Sequence, residues 1–214
     1  MSFPSFAPNL STSKEMKEKI LESVTALFLR FGIRSVSMDD IARELGISKK
    51  TIYQHFQDKN DLVRQSTHAV LKDRQVEFEE IERKASNALE EQMMISHCIR
   101  KDLAQMNPSL MFDIEKYHSD AWSEYVDHER NVIEESVKRN LNRGIKEGYF
   151  RPEINVDILT RLRLQQVRMS FNSRVFPGTE FDFKEVQMQM FDHFVYGLLT
   201  EQGVALHREY LQAS

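Results

Sequence analysis

Between Ser37 and Leu62 the chain reads SMDDIARELGISKKTIYQHFQDKNDL, two short helical patterns joined through a single glycine. Ser37 can cap the first helix, with Asp40 three residues on as the acidic arm of a capping box. Val36 and Ile41, on either side of that cap, have the spacing of a hydrophobic staple. Ile41, Ala42 and Leu45 make one apolar face, and Gly46 supplies the positive φ that ends the helix. Ser48 then caps a second helix, whose inward residues are Ile52 and Phe56. Two helices this short cannot stand alone. They must cross over a shared core, and the glycine sets where they turn.

Lys49 and Lys50 occupy the first turn of the second helix, where the macrodipole disfavours cations by roughly 0.3–1 kcal/mol each. Thr51, Tyr53 and His55 follow them. Taken alone, the two charges also fit a solvated surface turn. With the surrounding spacing they favour a helix end that meets phosphates and base edges in the DNA major groove.

The residues Ser37, Ile41-Ala42, Gly46-Ile47-Ser48, Ile52-Tyr53, His55-Phe56, Asp58-Lys59 and Leu62, at their fixed spacing, resemble the DNA-binding signature of TetR-family transcriptional regulators. The match covers roughly residues 14–65. Ser37 stands where that family usually has Thr, and Asn60 where an acid is commoner. The resemblance implies an all-α chain with an N-terminal three-helix DNA-binding head carrying a helix-turn-helix. A larger C-terminal helical domain for ligand binding and dimerisation follows. The expected divisions are a mobile arm over 1–13, the head over 14–60 and the body over 61–214. By the same resemblance Lys49, Lys50, Thr51 and Tyr53 make groove contacts, with Ser48 at the helix start, while Ser37, His55 and Lys59 hold phosphates. A homodimer would place two such helices on a pseudo-palindrome, roughly 34–36 Å apart.

Charge distribution agrees with that division. Residues 1–60 hold 9 Lys+Arg against 7 Asp+Glu, out of 29 and 33 in the chain; the net is +2 there and −6 beyond, for −4 in total. Phosphate-compatible surface therefore concentrates in the N-terminal part, and the acidic remainder keeps non-specific DNA binding weak. Only 7 Gly and 5 Pro in 214 residues favour a mostly helical chain, and 14 Phe with 10 Met suit a helical core with some plasticity. A single cysteine rules out an internal disulfide. The start MSFPSFAPNL lacks the basic region and apolar run of a signal peptide, and no stretch approaches the ~18 apolar residues that span a bilayer. A cytoplasmic protein with no membrane partner is expected.

Along the chain, Pro4, Pro8 and several serines mark the N-terminal arm. Met16, Ile20, Val24, Leu27, Phe28 and Phe31 recur at helical spacing up to Gly32. Asp58 can cap a fourth helix running to about Lys84, with Leu62, Ala69, Val76 and Ile81 among its apolar residues; in the family it links head to body. Further helices are expected from Asn87 to Ala104, Pro108 to His118, Asp120 to Glu147, Asn155 to about Arg174, and Asp182 to Glu201, with a short tail after Gly203. The helix from Asp182 carries two apolar stripes, one with Phe183, Val186, Met190 and Phe194, the other with Phe191, Val195, Leu198 and Leu199. One stripe can pack on the helix's own domain, leaving another that needs a partner, unless the helix is buried entirely inside a monomer. Family architecture favours a homodimer whose four-helix-bundle interface is built from the last two long helices of each chain, assigned to Phe171, Val175, Phe191, Phe194, Val195 and Leu198.

The resemblance further implies a body that encloses a small, largely apolar effector. Met94, Cys98, Phe112, Tyr117, Trp122, Tyr125, Arg163, Gln166 and Met169 are the expected lining, with Trp122 foremost. Arg163 implies an acidic ligand if it is buried in that pocket. Ordinary core packing is the competing role for each of them. His97 with Cys98, and His118 with His128, lack the spacing of metal ligands on one helical face. No nucleophile elbow, P-loop, dinucleotide fingerprint or HExxH occurs, so no enzyme, metal or cofactor is expected. The resulting expectation is a repressor released from its operator by a small molecule. The alternative is an architectural DNA-binding protein with no effector.

Overall fold

A computed structural model describes residues 10–104 and 106–213. The described residues form helices α1 (Leu10–Phe31), α2 (Met38–Leu45), α3 (Lys49–Tyr53), α4 (Lys59–Lys84), α5 (Ala88–Leu103), α6 (Leu110–Tyr117), α7 (Ser119–His128), α8 (Glu134–Lys146), α9 (Val156–Ser170), α10 (Phe183–Leu198) and α11 (Glu201–Ala213). The first nine residues of the expected arm lie outside the described residues, and its last four belong to α1.

The local signals of the head act as their chemistry requires. Gly32, at φ +78°, closes α1. Ser37 accepts from the Asp40 N–H at 3.2 Å, and the Ser37 N–H donates back to Asp40 Oδ2 at 2.9 Å, completing the capping box. Gly46 ends α2 at φ +63°, and Ser48 and Asp58 cap α3 and α4. Ile20, Val24, Phe28, Ile33, Ile41, Ile52, Phe56 and Leu62 meet in one core.

That core does not stop at the head. Leu110 and Ile114 of α6 and Ala121 of α7 are buried within it. The loop before α6 is pinned as well, since the Asn107 N–H donates to the Leu29 carbonyl at 2.6 Å. Head and body thus share apolar surface through α6, in addition to the covalent path along α4. On α4, Leu62 and Ile81 are buried as expected, whereas Val76 is half exposed.

A second core holds the body together around Leu89, Leu141, Phe150, Phe191, Phe194, Val195 and Leu198. Phe150 lies directly on Gly144, where a Cβ would come within 2.0 Å of its ring. A polar lattice joins α5 to α8: buried Glu91 pairs with Arg139 and Arg143, each at 3.3 Å, and Gln92 donates to Asn140 at 2.7 Å.

Four expected boundaries shift, each for a visible reason. The long helix expected over Asp120–Glu147 is broken by a π-helical turn at Glu129–Ile133. Buried Glu129, at the start of that turn, is held from α9 by Arg168, whose Nε donates to it at 2.9 Å. Helix α9 stops at Ser170 because the Asn172 side chain caps a turn, accepting from the Arg174 N–H at 3.0 Å. Helix α10 stops at Leu198, since Leu199 turns extended and pairs with Phe150 in an isolated bridge. Helix α11 begins at Glu201, ahead of Gly203, with Thr200 Oγ1 accepting from the Gly203 N–H at 3.1 Å. Gly203 is a close-approach residue inside the helix, where a Cβ would meet the Tyr149 carbonyl at 2.3 Å.

Candidate nucleic-acid interface and effector cavity

Helix α3 rides on Ile52 and Phe56, which are 0% and 2% exposed and anchor it to the head core. Its outer side presents Lys49, Lys50 and Tyr53, the last half exposed. Lys49 is braced by Asp39 of α2 at 2.9 Å, a contact that also raises its pKa. Lys50 forms no ion pair among the described residues. The Ser48 and Thr51 hydroxyls lie 2.9 Å apart and satisfy each other while Ser48 caps the helix, so both are held in place at its start. The Ser37 hydroxyl donates to Asp40 at 2.6 Å, and His55 is partly covered at the far end of the turn.

Lys59 is half-buried: its ammonium donates to the Ile33 carbonyl at 2.6 Å, and burial lowers its pKa. In this position it ties the start of α4 to the turn after α1. The brace that Asp39 gives Lys49 is invisible in the sequence, because a contact ten residues away across a turn leaves no periodic trace.

In the body, a cavity of about 890 Å³ lies between α6, Trp122 of α7, the second half of α9 and the turn after it. Of the expected lining residues it receives Phe112, Trp122, Gln166 and Met169. Phe171 and Val175, assigned to the dimer interface, line it too, as do Lys116, Arg168 and Arg174. A neighbouring cavity of about 710 Å³ shares Phe112 and Phe171 and extends to Phe181 and Phe183. Trp122 stacks on Tyr125 at 5.3 Å and lies under the Arg168 guanidinium at 5.9 Å, so the cavity wall is tied to the π turn. Tyr125 sits behind Trp122, and burial together with the Glu129 charge raises its pKa.

The other expected lining residues lie elsewhere. Met94 and Cys98 belong to α5, away from both cavities. Cys98 is buried against Arg74 at 2.9 Å, and burial pushes its thiol up to about 11. Tyr117 is exposed and lies edge-on to Phe112, with Arg34 over its ring. Arg163 is buried outside the cavity walls, over the rings of Phe191 and Phe194. Phe191, Phe194, Val195 and Leu198 are 3%, 5%, 1% and 0% exposed within one chain, so they are core residues and not an interface. The exposed apolar side chains of these helices are Ile158, Leu162 and Met169 on α9 and Tyr196 on α10, where Gly197 faces open space.

A capped helix-turn-helix with a cationic, tyrosine-bearing outer face, fused to a helical body with an open, largely apolar cleft, has the make-up of a DNA-binding regulator. Residues 20–65 match the family model of bacterial regulatory proteins, tetR family. Over 189 residues the chain is 24% identical to the HTH-type transcriptional repressor KstR2 of Mycobacterium tuberculosis, covering 87% of this chain and 94% of that protein. Its fold is similar to that of a TetR-family transcriptional regulator from Agrobacterium tumefaciens, with TM-score 0.71, 18% identity and coverage of 88% of this chain and 100% of that one. It is also similar to FadR of Bacillus subtilis, solved in complex with stearoyl-CoA, with TM-score 0.62, 14% identity and coverage of 86% and 99%. Residues 20–65 thus carry a TetR-family DNA-binding domain, and the chain as a whole resembles TetR-family transcriptional regulators in sequence and fold. No helix among the described residues is long and apolar enough to cross a membrane.

Proposed function

We propose that the chain is a homodimeric repressor that occupies a pseudo-palindromic operator and leaves it when a small, largely apolar effector enters the cavity beside α6. One observation carries this reading. Helix α6 buries Leu110 and Ile114 in the core of the head while Met111, Phe112 and Lys116 form a wall of the cavity. A ligand that displaces α6 acts directly on the body of the recognition unit. Since successive major grooves fix the spacing of two recognition helices, a shift of a few ångströms is enough to lose the fit. Convincing release requires the effector to favour the unfitted form by about 3–5 kcal/mol. The FadR complex, in a similar fold, supports a body able to take up a ligand with a long apolar part.

Lys49, Lys50, Thr51 and Tyr53 carry the groove contacts in this reading, with Ser37 and His55 at the phosphates and Ser48 fixing the helix start. The dimer forms through the exposed face of α9 and α10, with Ile158, Leu162, Tyr196 and Gly197.

Selection of bound sequences from a random DNA pool at 0.15 M salt tests the reading. A recovered palindrome, bound by a dimer and released by an apolar ligand, is the expected result. Sequence-blind, salt-sensitive binding would instead make the chain an architectural protein, and a palindrome whose affinity no ligand alters would remove the effector.

A further inference from the structure

Three side chains at three-residue intervals on the inward face of α9, Thr160, Arg163 and Gln166, are 0%, 9% and 9% exposed. Each leaves one buried polar atom without a hydrogen-bond partner: Thr160 Oγ1, Arg163 Nη1 and Gln166 Oε1. Such atoms are rare in a folded core, and three along one helix face mark a place where partners are still to arrive. Arg163 is the most costly of them. No carboxylate pairs with it among the described residues, and burial alone pushes its pKa down to about 10. What it has instead are the rings of Phe191 and Phe194, with centroids 5.1 and 5.6 Å away. Aromatic faces recover only part of the cost of removing a guanidinium from water. Elsewhere the fold does supply counter-charge to buried groups, pairing Glu91 with two arginines and Glu129 with Arg168.

Gln166 connects this cation to the cavity. It lines the 890 Å³ space, and side chains three residues apart on a helix stand about 5–6 Å from each other at Cβ. The cavity therefore ends one helical step from an uncompensated positive charge.

We propose that the cavity accepts an amphiphilic carboxylate, with its apolar part against Phe112 and Trp122 and its acid group passing Gln166 to pair with Arg163. A single guanidinium between aromatic walls suits a planar monoanion. The other cations of the cavity are Lys116, Arg168 and Arg174, of which Arg168 is already paired with Glu129. The inference rests on the effector reading above and specifies the chemistry of that effector.

The test compares dodecanoate with dodecanol, both below their aggregation limits, read by the fluorescence of Trp122, the one tryptophan in the chain. Dodecanoate should bind wild type at least tenfold more tightly than dodecanol, and Arg163→Met should bind the two alike. Unliganded Arg163→Met should also unfold at a higher temperature than wild type, because it removes a buried charge with no partner. An arginine held only for structure gives the opposite shift. Equal affinity for the two probes in wild type, binding of neither, a carboxylate preference that survives Arg163→Met, or a less stable Arg163→Met each overturns the proposal. The wild-type comparison stands however the variant behaves. Operator release is followed in the same samples: carboxylate preference without release keeps the subsite and removes effector-controlled repression, whereas equal binding and release by both probes removes the subsite and keeps the control.

Discussion

The ammonium of Lys59 lies 2.6 Å from a carbonyl of its own chain, while Tyr53, six residues earlier, turns half its surface to solvent. Both follow from where the helix ends fall. A lysine in the first turn of α4 gains nothing from the macrodipole, so a half-buried backbone acceptor holds it. At the end of α3, Tyr53 has no inward face to fill, because Ile52 and Phe56 already fill it. Lys59→Met should therefore destabilise the head by about 1–2 kcal/mol, leaving the Ile33 carbonyl without its donor, while the operator affinity of the folded protein and its salt dependence stay unchanged. Tyr53→Ala should do the reverse, weakening operator binding by roughly 1–3 kcal/mol with no change in unfolding temperature. Thermal unfolding and anisotropy titrations on the two variants separate these outcomes.

Helices α1 to α4 follow cues within a few residues of their ends, and those cues are legible without coordinates. The capping box at Ser37 and the left-handed Gly46 act through contacts three to five residues apart. The π turn at Glu129–Ile133 is different: its anchor, Arg168, is 39 residues away in sequence. Helical periodicity carries no record of such a partner, so an uninterrupted helix was the natural expectation. Glu129→Gln should leave Arg168 without its counter-charge. Because that arginine is one-third exposed, a loss of about 1–3 kcal/mol is expected, below the figure for a fully buried pair. Since Arg168 also covers Trp122, the emission of that tryptophan should shift in the same variant. An unmoved emission spectrum would separate the π turn from the cavity wall.

For the whole molecule, the decisive comparison lies between two apolar residues on adjacent helices. Phe194 is 5% exposed and Ile158 is 63% exposed in a single chain. Phe194→Glu places a charge in the second core and should unfold the chain, at a cost of several kcal/mol. Ile158→Glu should leave the fold intact and yield monomers in sedimentation, with operator affinity reduced accordingly. Dimers that persist in Ile158→Glu would move the interface off this face. The two apolar stripes read along α10 could not reveal which one faces a partner, since hydrophobic spacing is the same for a core and for an interface.

The amino-acid sequence by itself determined the all-α class, the helix-turn-helix with its caps and the outward Lys49 and Lys50, because each is governed by backbone geometry and neighbours a turn away. The fusion of α6 with the core of the head, the bond from Lys59 to the Ile33 carbonyl, the place of Phe171 and Val175 on a cavity wall and the stranding of Arg163 were decided only by the tertiary structure. Each depends on which helix face is covered by a segment distant in sequence, and that is settled by packing the whole chain at once.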